Sequence, residues 1–312
     1  MQITKQTLRS LHVDTAIYRW FLHRFPYGAG YAEVHAELVK SGRIEWANSL
    51  LEYAYLFWSE KPLFWHEEAR VTQGVIDSLI HHLSMKTDFL ENRAGETAFI
   101  LNRQSAVQLS CVTDFTKVVS EGYCSKVINT GVNNIIASTG IHSWISNIAD
   151  CSHIAGSGDV MQISNTGQNS RIGSAGIRSK ISNVGNSVKM SSSGEGTRVA
   201  NAGMRSCISS HGRRAKIVNS GDLCQINSLA ADALIANVGN DAKITALGEN
   251  TVVMSAGSIC YVILGKDGCA SIPYYDGNRI RFATAYEGEH GIQAGVKYCL
   301  NEHNQFVEYH DE

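Results

Sequence analysis

The stretch ISNTGQNSRIGSAGIRSKISNVG, residues 163–185, decides the fold because one nine-residue unit recurs along it. Each unit contains a glycine, and the step of nine continues far beyond this stretch in both directions. The glycine column consists of Gly122, Gly131, Gly140, Gly158, Gly167, Gly176, Gly185, Gly194, Gly203, Gly212, Gly221, Gly239, Gly248 and Gly257, with Ala149 and Ala230 in its two gaps. We expect this register to hold without insertion or deletion as far as about Tyr274. A gapless repeat of fixed period predicts a stacked architecture.

Two further columns predict which side chains point inward. A small residue such as Ser179 lies three positions after the glycine, and an apolar residue such as Ile181 lies five after it. Side chains alternate across a strand, so positions three, five and seven share one side. A narrow interior has room for one branched aliphatic side chain per strand. We expect the glycine to mark a turn at which a positive φ requires the absence of a Cβ.

The seventh position alternates between asparagine and a small residue, which doubles the period to 18. The fold class is therefore mainly β, a parallel β-solenoid with two strands and 18 residues per coil and about ten coils. Equivalent asparagines one coil apart are predicted to bond as a ladder at the strand spacing of ~4.8 Å. The structural ladder comprises Asn129, Asn147, Asn165, Asn183, Asn201, Asn219 and Asn237.

The pattern Ile-x-Asn-x-Gly-x-x-Ser-x-Ile resembles the two-strand β-roll of RTX proteins, which also uses nine residues per half-turn. The calcium-binding aspartate of that family falls here on residues such as Ser143, Ser179 and Ala215. The resemblance thus implies a roll without calcium. A closer resemblance is to uncharacterised bacterial and phage solenoid proteins that end in Gly-Ile-x-Ala-Gly-Val-x-Tyr, as residues 291–298 do. It implies a fold and suggests a prophage context, but it implies no activity.

Three regions follow from these patterns: a helical N-terminal domain or cap at 1–94, the solenoid at 95–273 and a C-terminal β cap at 274–312. The first region holds four of the five tryptophans and shows helical spacing of apolar residues. A helical cap would shield the unpaired backbone of an open solenoid end. Helices are predicted from Asp14 to about Arg24, over Tyr31–Lys40, from Glu45 to about Trp58 and over Glu67–His82.

Composition limits the function classes. The 312 residues carry a net charge of −2, with no long apolar run and no apolar signal core. We therefore expect a cytoplasmic protein that does not cross a membrane. The eight cysteines are expected mostly as small buried residues in a reducing compartment, with a bond between Cys260 and Cys269 left open. No histidine or cysteine spacing indicates zinc, and no motif indicates a cofactor or catalytic residue.

One charged feature stands out. Lys180, Arg198 and Lys216 occupy the same outward position on three successive coils. Stacked like charges repel, which suggests an anionic partner. The simpler explanation is a charged face that keeps sheets from aggregating. The wider basic set also contains Arg171 and Lys189 on the other face and Arg178, Arg205, Arg213 and Arg214 at nearby turns.

The last coils are unusually apolar at outward positions, which either the C-terminal segment or a second protomer would cover. These possible oligomer contacts are Leu234, Val252, Met254, Tyr261 and Ile263. Three functions remain open. The first is a non-enzymatic scaffold that binds a protein partner or forms a homo-oligomer. The second is binding of nucleic acid or another polyanion by the basic face. The third is an enzyme with its site in the helical domain.

Overall fold

The structure is a computed structural model of the chain, and it describes residues 1–10, 14–58, 61, 64, 67, 71 and 99–310. The chain divides into two compact units, Met1–Ser78 and Leu79–Glu312. Each unit is described by itself. The finer division at 94/95 and 273/274 stays a prediction.

The first unit is helical, with one short two-stranded sheet. Three of its helices match the predicted ones, and the predicted helix Glu67–His82 lies largely outside the described residues. Asp14 begins its helix as expected, because its Oδ1 accepts a hydrogen bond of 2.6 Å from the Ala16 amide. The elements in chain order are β1 Gln2–Ile3, α1 Lys5–Ser10, α2 Thr15–Arg24, β2 Ala29–Gly30, α3 Tyr31–Lys40 and α4 Ile44–Trp58.

Aromatic side chains pack together with aliphatic ones in the core of this unit. Tyr31 is fully buried, and its ring contacts those of Trp58 and Phe64 at centroid distances of 6.0 and 5.7 Å. Trp20 meets Trp46 edge to face at 6.3 Å. Such large apolar rings let a few short helices bury a substantial core.

The second unit contains the remaining strands. Most have four residues, the length that fits between turns spaced nine residues apart. They are β3 Phe99–Asn102, β4 Gln108–Cys111, β5 Lys117–Ser120, β6 Lys126–Asn129, β7 Ile135–Ser138, β8 Trp144–Asn147, β9 His153–Gly156, β10 Gln162–Asn165, β11 Arg171–Ser174, β12 Lys180–Asn183, β13 Lys189–Ser192, β14 Arg198–Asn201, β15 Cys207–Ser210, β16 Lys216–Asn219, β17 Gln225–Ser228, β18 Leu234–Asn237, β19 Ala242–Ala246, β20 Val252–Ser255, β21 Ile259–Leu264, β22 Cys269–Tyr275, β23 Ile280–Tyr286, β24 Lys297–Leu300 and β25 Phe306–Glu308.

These strands confirm the predicted solenoid. Even-numbered strands from β4 to β22 stack in parallel in one sheet, here the Asn sheet, and odd-numbered strands from β3 to β21 stack in the other, the Ser sheet. Ile163 pairs with Ile181, and Ile172 pairs with Met190, so each layer repeats after 18 residues. Strands β3 to β22 make about ten coils, with the aliphatic column buried between the sheets.

The predicted asparagine ladder is present in the interior of the Asn sheet. Asn165 Nδ2 donates to Asn183 Oδ1 at 2.7 Å, and Asn183 Nδ2 donates to Asn201 Oδ1 at the same distance. The second hydrogen on each Nδ2 goes to a carbonyl in its own turn, such as that of Gly185 at 2.7 Å. Each amide thus makes three hydrogen bonds in a buried interior, where an unpaired amide group would be costly.

Both ends of the ladder are closed by other side chains. At the first rung, Asn129 Oδ1 accepts from Asn134 Nδ2 at 2.6 Å. At the last, Asn237 Nδ2 donates to Ser255 Oγ at 3.0 Å, and that hydroxyl donates to the Gly257 carbonyl. All the ladder amides between these ends point the same way along the stack.

The glycine column has a different cause from the one expected. Gly176 has no positive φ; instead, a Cβ there would lie 1.9 Å from the carbonyl oxygen of Gly158, one coil earlier. The column therefore contains glycine because successive turns stack too closely for a side chain.

The residue with a positive φ, in the left-handed backbone region, lies two positions after the column glycine. Arg178 and Val160 have φ of 54° and 57° there. Neighbouring coils stabilise this strained turn, since the Arg178 amide donates to the Glu195 carbonyl at 2.8 Å. Acidic side chains add to it: Asp159 Oδ1 accepts from the Ile177 amide at 2.8 Å.

The repeat changes before its expected end. Val252 pairs with Cys269, so the last coil takes 17 residues and the gapless register does not reach Tyr274. The antiparallel strand β23 then extends the Asn sheet, while β24 and β25 extend the Ser sheet. These antiparallel strands end the solenoid as a β cap.

Candidate interaction surface

The basic row lies on the outer face of the Asn sheet. Lys180 pairs with Arg198, and Arg198 pairs with Lys216, on strands β12, β14 and β16. All three side chains are exposed. Adjacent strands are ~4.8 Å apart, so the three residues form a row whose backbone spacing is set by the coil.

No acidic side chain neutralises this row within the part of the chain that the structure describes. Lys180, Arg198 and Lys216 form no ion pair there, whereas Arg213 and Arg214 do. Neighbouring charges at this spacing repel by up to about 1 kcal/mol even at the dielectric constant of water. A bound anion would relieve that repulsion.

The row continues beyond the residues predicted from the sequence. Gln162, Trp144 and Lys126 precede Lys180 in the same outward column. Trp144 is 51% exposed and lies two coils before Lys180, outside the run from Lys180 to Lys216. It could have been found by extending the column of Lys180 back by two coils.

The arginines at the turns do not form one site. Arg178 and Arg214 lie two residues before Lys180 and Lys216, on the edge where the chain enters the Asn sheet. Arg205 precedes a strand of the Ser sheet and therefore lies on the opposite edge. Arg213 pairs with Asp232 at 3.1 Å, and Arg214 with Glu195 at 3.4 Å. Only part of the predicted basic set therefore adjoins the row.

Arg171 and Lys189 are separated from the row by the body of the solenoid. They pair with each other on β11 and β13 of the Ser sheet and are half-buried. The two basic faces predicted from the sequence thus exist as separate surfaces, and only the Asn sheet presents three successive exposed cations.

The apolar outward residues of the last coils divide into two groups. Tyr261 and Ile263 are 1% and 2% exposed, because β24 pairs with β21 and the Tyr309 ring packs on Tyr261. These two are therefore not available as oligomer contacts. Val252 and Met254 on the Asn sheet remain 37% and 47% exposed, with Leu234 half-buried beside them.

The cysteines are all free, including Cys260 and Cys269. The expectation that most of them are buried is wrong: only Cys111 and Cys224 are, and Cys124 is among the exposed ones. Burial raises the pKa of both buried thiols. Among the described residues, no cluster of His, Cys, Asp or Glu could hold a metal ion.

The helical unit offers a small pocket, and the lining residues that the structure describes bring no polar groups together in it. Its lining is mostly apolar, and the polar atoms come from Ser49, Tyr53 and the indole nitrogens. No acid–base pair occurs among the described lining residues, so they add no support to an enzyme site. The lining residues are Leu8, Ile17, Trp20, Phe21, Val34, Leu38, Trp46, Ser49, Leu50 and Tyr53.

The helical unit is also where a family is detected. Residues 1–58 match the family model of the YdhT N-terminal domain. A similar protein, described as uncharacterized protein YdhT of Escherichia coli (strain K12), is 41% identical over 73 residues. The match covers 23% of this chain and 27% of the relative's length. No solved structure matches the chain. The comparisons name a domain but supply no activity.

No described helix has the length and apolarity needed to cross a membrane.

Proposed function

We propose that this protein is a non-catalytic interaction scaffold that binds a partner on the outer face of the Asn sheet. The observation that supports this is the row Lys180, Arg198 and Lys216, exposed and without an ion pair in the described chain. The asparagine ladder and the stacked turns hold the backbone of these three residues at fixed spacing. A backbone held in this way loses little conformational entropy on binding, so the entropic cost falls mainly on the lysine and arginine side chains.

The cellular setting remains part of the proposal. The resemblance to bacterial and phage solenoid proteins supports a role in a mobile element or in host interaction. The eight free cysteines support a reducing compartment such as the cytoplasm.

Affinity capture with charge-reversed variants tests the scaffold function. The bait is the full chain, captured from cells that express it naturally, and the test variant is Lys180→Glu/Arg198→Glu/Lys216→Glu. The control, Lys5→Glu/Lys40→Glu/Lys117→Glu, changes the net charge equally at exposed residues outside the row. We expect a partner that the native chain and the control retain and the row variant loses. Equal capture by all three proteins would contradict the proposal.

A second candidate function is binding of a linear polyanion by the same row. Three cations at ~4.8 Å intervals, with Trp144 two coils before them, suit an extended chain of negative charges with stackable rings. Three neutralised phosphates would give a slope of about −3 for log K against log salt on duplex DNA.

Salt titrations of nucleic-acid binding separate this candidate from a protein partner. We expect the row variant to lose binding to random duplex and single-stranded DNA, and the charge-matched control to keep it. Trp144→Ala should weaken single-strand binding more than duplex binding, because only unpaired bases can stack on the indole. Absence of binding by the native chain at low salt would exclude the polyanion function while leaving the scaffold function testable.

A further inference from the structure

Strand β23, Ile280–Tyr286, ends the Asn sheet and has one unpaired edge among the described residues. Its neighbour β22 pairs with it over seven residues, from Cys269↔Tyr286 to Tyr275↔Ile280. An exposed strand edge of this length is a ready template for another strand, and proteins usually protect such edges.

The hydrogen-bond pattern shows which groups point away from the molecule. The Asp276 amide donates to the Arg279 carbonyl, and the Glu287 amide donates to the Gly268 carbonyl. Hydrogen-bonded and non-bonded residue pairs alternate along an antiparallel ladder. The backbone amides and carbonyls of the odd-numbered residues of β23 therefore point toward β22. The amides and carbonyls of Ile280, Phe282 and Thr284 therefore face outward, as does the Tyr286 amide. The Tyr286 carbonyl already accepts from Glu289.

This edge carries an apolar side-chain face. Ile280, Phe282 and Tyr286 are 62%, 57% and 51% exposed, and Tyr275 on the adjacent strand is 63% exposed. The charged residue within the strand, Arg281, is already ion-paired with Asp276. Neither lysine nor proline interrupts the strand to discourage pairing.

We propose that β23 is the dimer interface of this protein, pairing antiparallel with β23 of a second copy about a two-fold axis at Ala283. In this register Phe282 lies opposite Thr284 and Ile280 opposite Tyr286, each pair occurring twice by symmetry. About six backbone hydrogen bonds form, and the outward groups of Phe282 and Thr284 are all paired. Moving the axis to Thr284 loses about two of these bonds, whereas moving it to Phe282 keeps about six but takes Arg279 away from its position opposite Glu287.

The side chains of β23 fit a second copy in this register. Arg279 of one copy lies opposite Glu287 of the other, giving the interface opposite charges at both ends. Glu287 Oε2 accepts from the Asp267 amide at 2.9 Å, which leaves Oε1 for the arginine. On the apolar face Phe282 has Thr284 directly opposite and the second Phe282 diagonally adjacent, a contact that buries aromatic surface. The interface does not depend on the basic row, so it goes beyond the proposed scaffold function.

Light scattering on the full chain tests the dimer. We expect a concentration-dependent mass approaching twice the 34.1 kDa of one chain. Thr284→Pro removes an outward amide and leaves the bonds to β22 intact, and Phe282→Lys places like charges diagonally across the axis. Each should weaken dimerisation by about tenfold or more. Met254→Lys is the control, because it changes the same sheet face two strands away from the edge and should leave dimerisation unchanged.

A cross-link tests the register separately. Ala283→Cys should form a disulfide between positions 283 of the two copies under mild oxidation, since residues opposite each other in a non-bonded pair lie ~4.5 Å apart at Cα. A native chain that is still monomeric at about 100 µM would overturn the proposal. Two strands that do not pair at this concentration would form only a transient encounter and not a dimer. A dimer that both edge variants leave unchanged would overturn it as well and would indicate another interface.

Discussion

At the scale of single residues, the asparagine ladder accounts for much of the interior order. Asn183 accepts one bond from Asn165 and donates two, to Asn201 and to the Gly185 carbonyl. Its replacement leaves one hydrogen of the buried Asn165 Nδ2 without an acceptor, and Asn201 Oδ1 keeps only the 3.3 Å bond from the Gly203 amide. Leaving a buried polar atom without a partner costs more free energy than its hydrogen bond contributed, because water cannot reach the atom.

We therefore expect Asn183→Ala to destabilise the solenoid by about 2–4 kcal/mol. The outward Ser182→Ala on the same strand should change stability by no more than about 0.5 kcal/mol. Stacked repeats need not unfold in one step, so hydrogen exchange at β10, β12 and β14 is the suitable measurement. Similar protection in the two variants would contradict the importance of the ladder.

Cysteine reactivity provides a second test at this scale. Cys111 and Cys224 are buried, and burial raises the pKa of each, so both remain protonated and inaccessible near neutral pH. We expect iodoacetamide to label Cys124 and Cys151 first in the folded protein and the buried pair only after unfolding. Mass spectrometry of labelled peptides measures the order, and early labelling of Cys224 would show that the coil around it opens.

Much of the residue-level arrangement follows from the sequence, and the exceptions have physical causes. The inward columns of Ile181 and Asn183 were predictable because alternation and period fix them. The position with a positive φ was not predictable from the sequence. Residues as different as Val160 and Arg178 have this conformation, because neighbouring coils constrain the backbone there. The shortened last coil had one signal: Gly265 comes one residue before the position that the nine-residue step assigns to glycine, which Lys266 occupies.

At the scale of elements, the β22–β23 hairpin depends on one acidic side chain. Asp276 Oδ2 accepts from the Arg281 side chain, and Oδ1 accepts from the Arg279 and Asn278 amides at 2.8 and 2.9 Å. The Arg281 bond and then these two amides lower the pKa of Asp276. A carboxyl group with a lowered folded pKa stabilises the structure above its unfolded pKa, and the stabilisation is lost as the pH falls through the folded value.

We therefore expect the hairpin to lose hydrogen-exchange protection on acidification below about pH 4. Asp276→Asn should remove that pH dependence and lower the protection at neutral pH. The control Asp232→Asn, which breaks an exposed ion pair with Arg213 elsewhere in the solenoid, should leave β22 and β23 unchanged. Unaltered pH dependence in Asp276→Asn would assign the effect to another group.

Elements also show what the sequence could not predict. Coverage of Tyr261 and Ile263 depends on β24, whose pairing with β21 joins residues far apart in the chain. The candidate basic site was only partly predictable for a related reason. Its row follows from the period, but ion pairs such as Arg213–Asp232 depend on which edge of the solenoid each turn occupies.

At the scale of the whole molecule, the two sheets are not interchangeable, so the coil and not the nine-residue unit is the element that can be removed. Deleting residues 194–211 takes out one full coil and restores every column. Deleting residues 194–202 removes half a coil and stacks Ser210 on Asn183. Asn183 then has a serine above it in place of the amide of Asn201.

We expect the 18-residue deletion to fold with a modest loss of stability. The nine-residue deletion should unfold roughly 5 °C or more below it, since a loss of a few kcal/mol shifts the midpoint by that amount in a unit of this size. Circular dichroism melts of the two deletions provide the comparison. Equal midpoints would mean that the alternation of the two sheets contributes little to stability.

The uniform orientation of the ladder amides gives the solenoid an electrical direction. Each amide carries a dipole whose positive end points from Asn129 toward Ser255, and within the run there is no amide of opposite sense to cancel it. The dipoles therefore add along the axis, in a low-dielectric interior that screens them weakly. A negative charge buried in this column is accommodated less well at Asn129 than at Ser255, so the two ends of the column differ in the charge that they can accept.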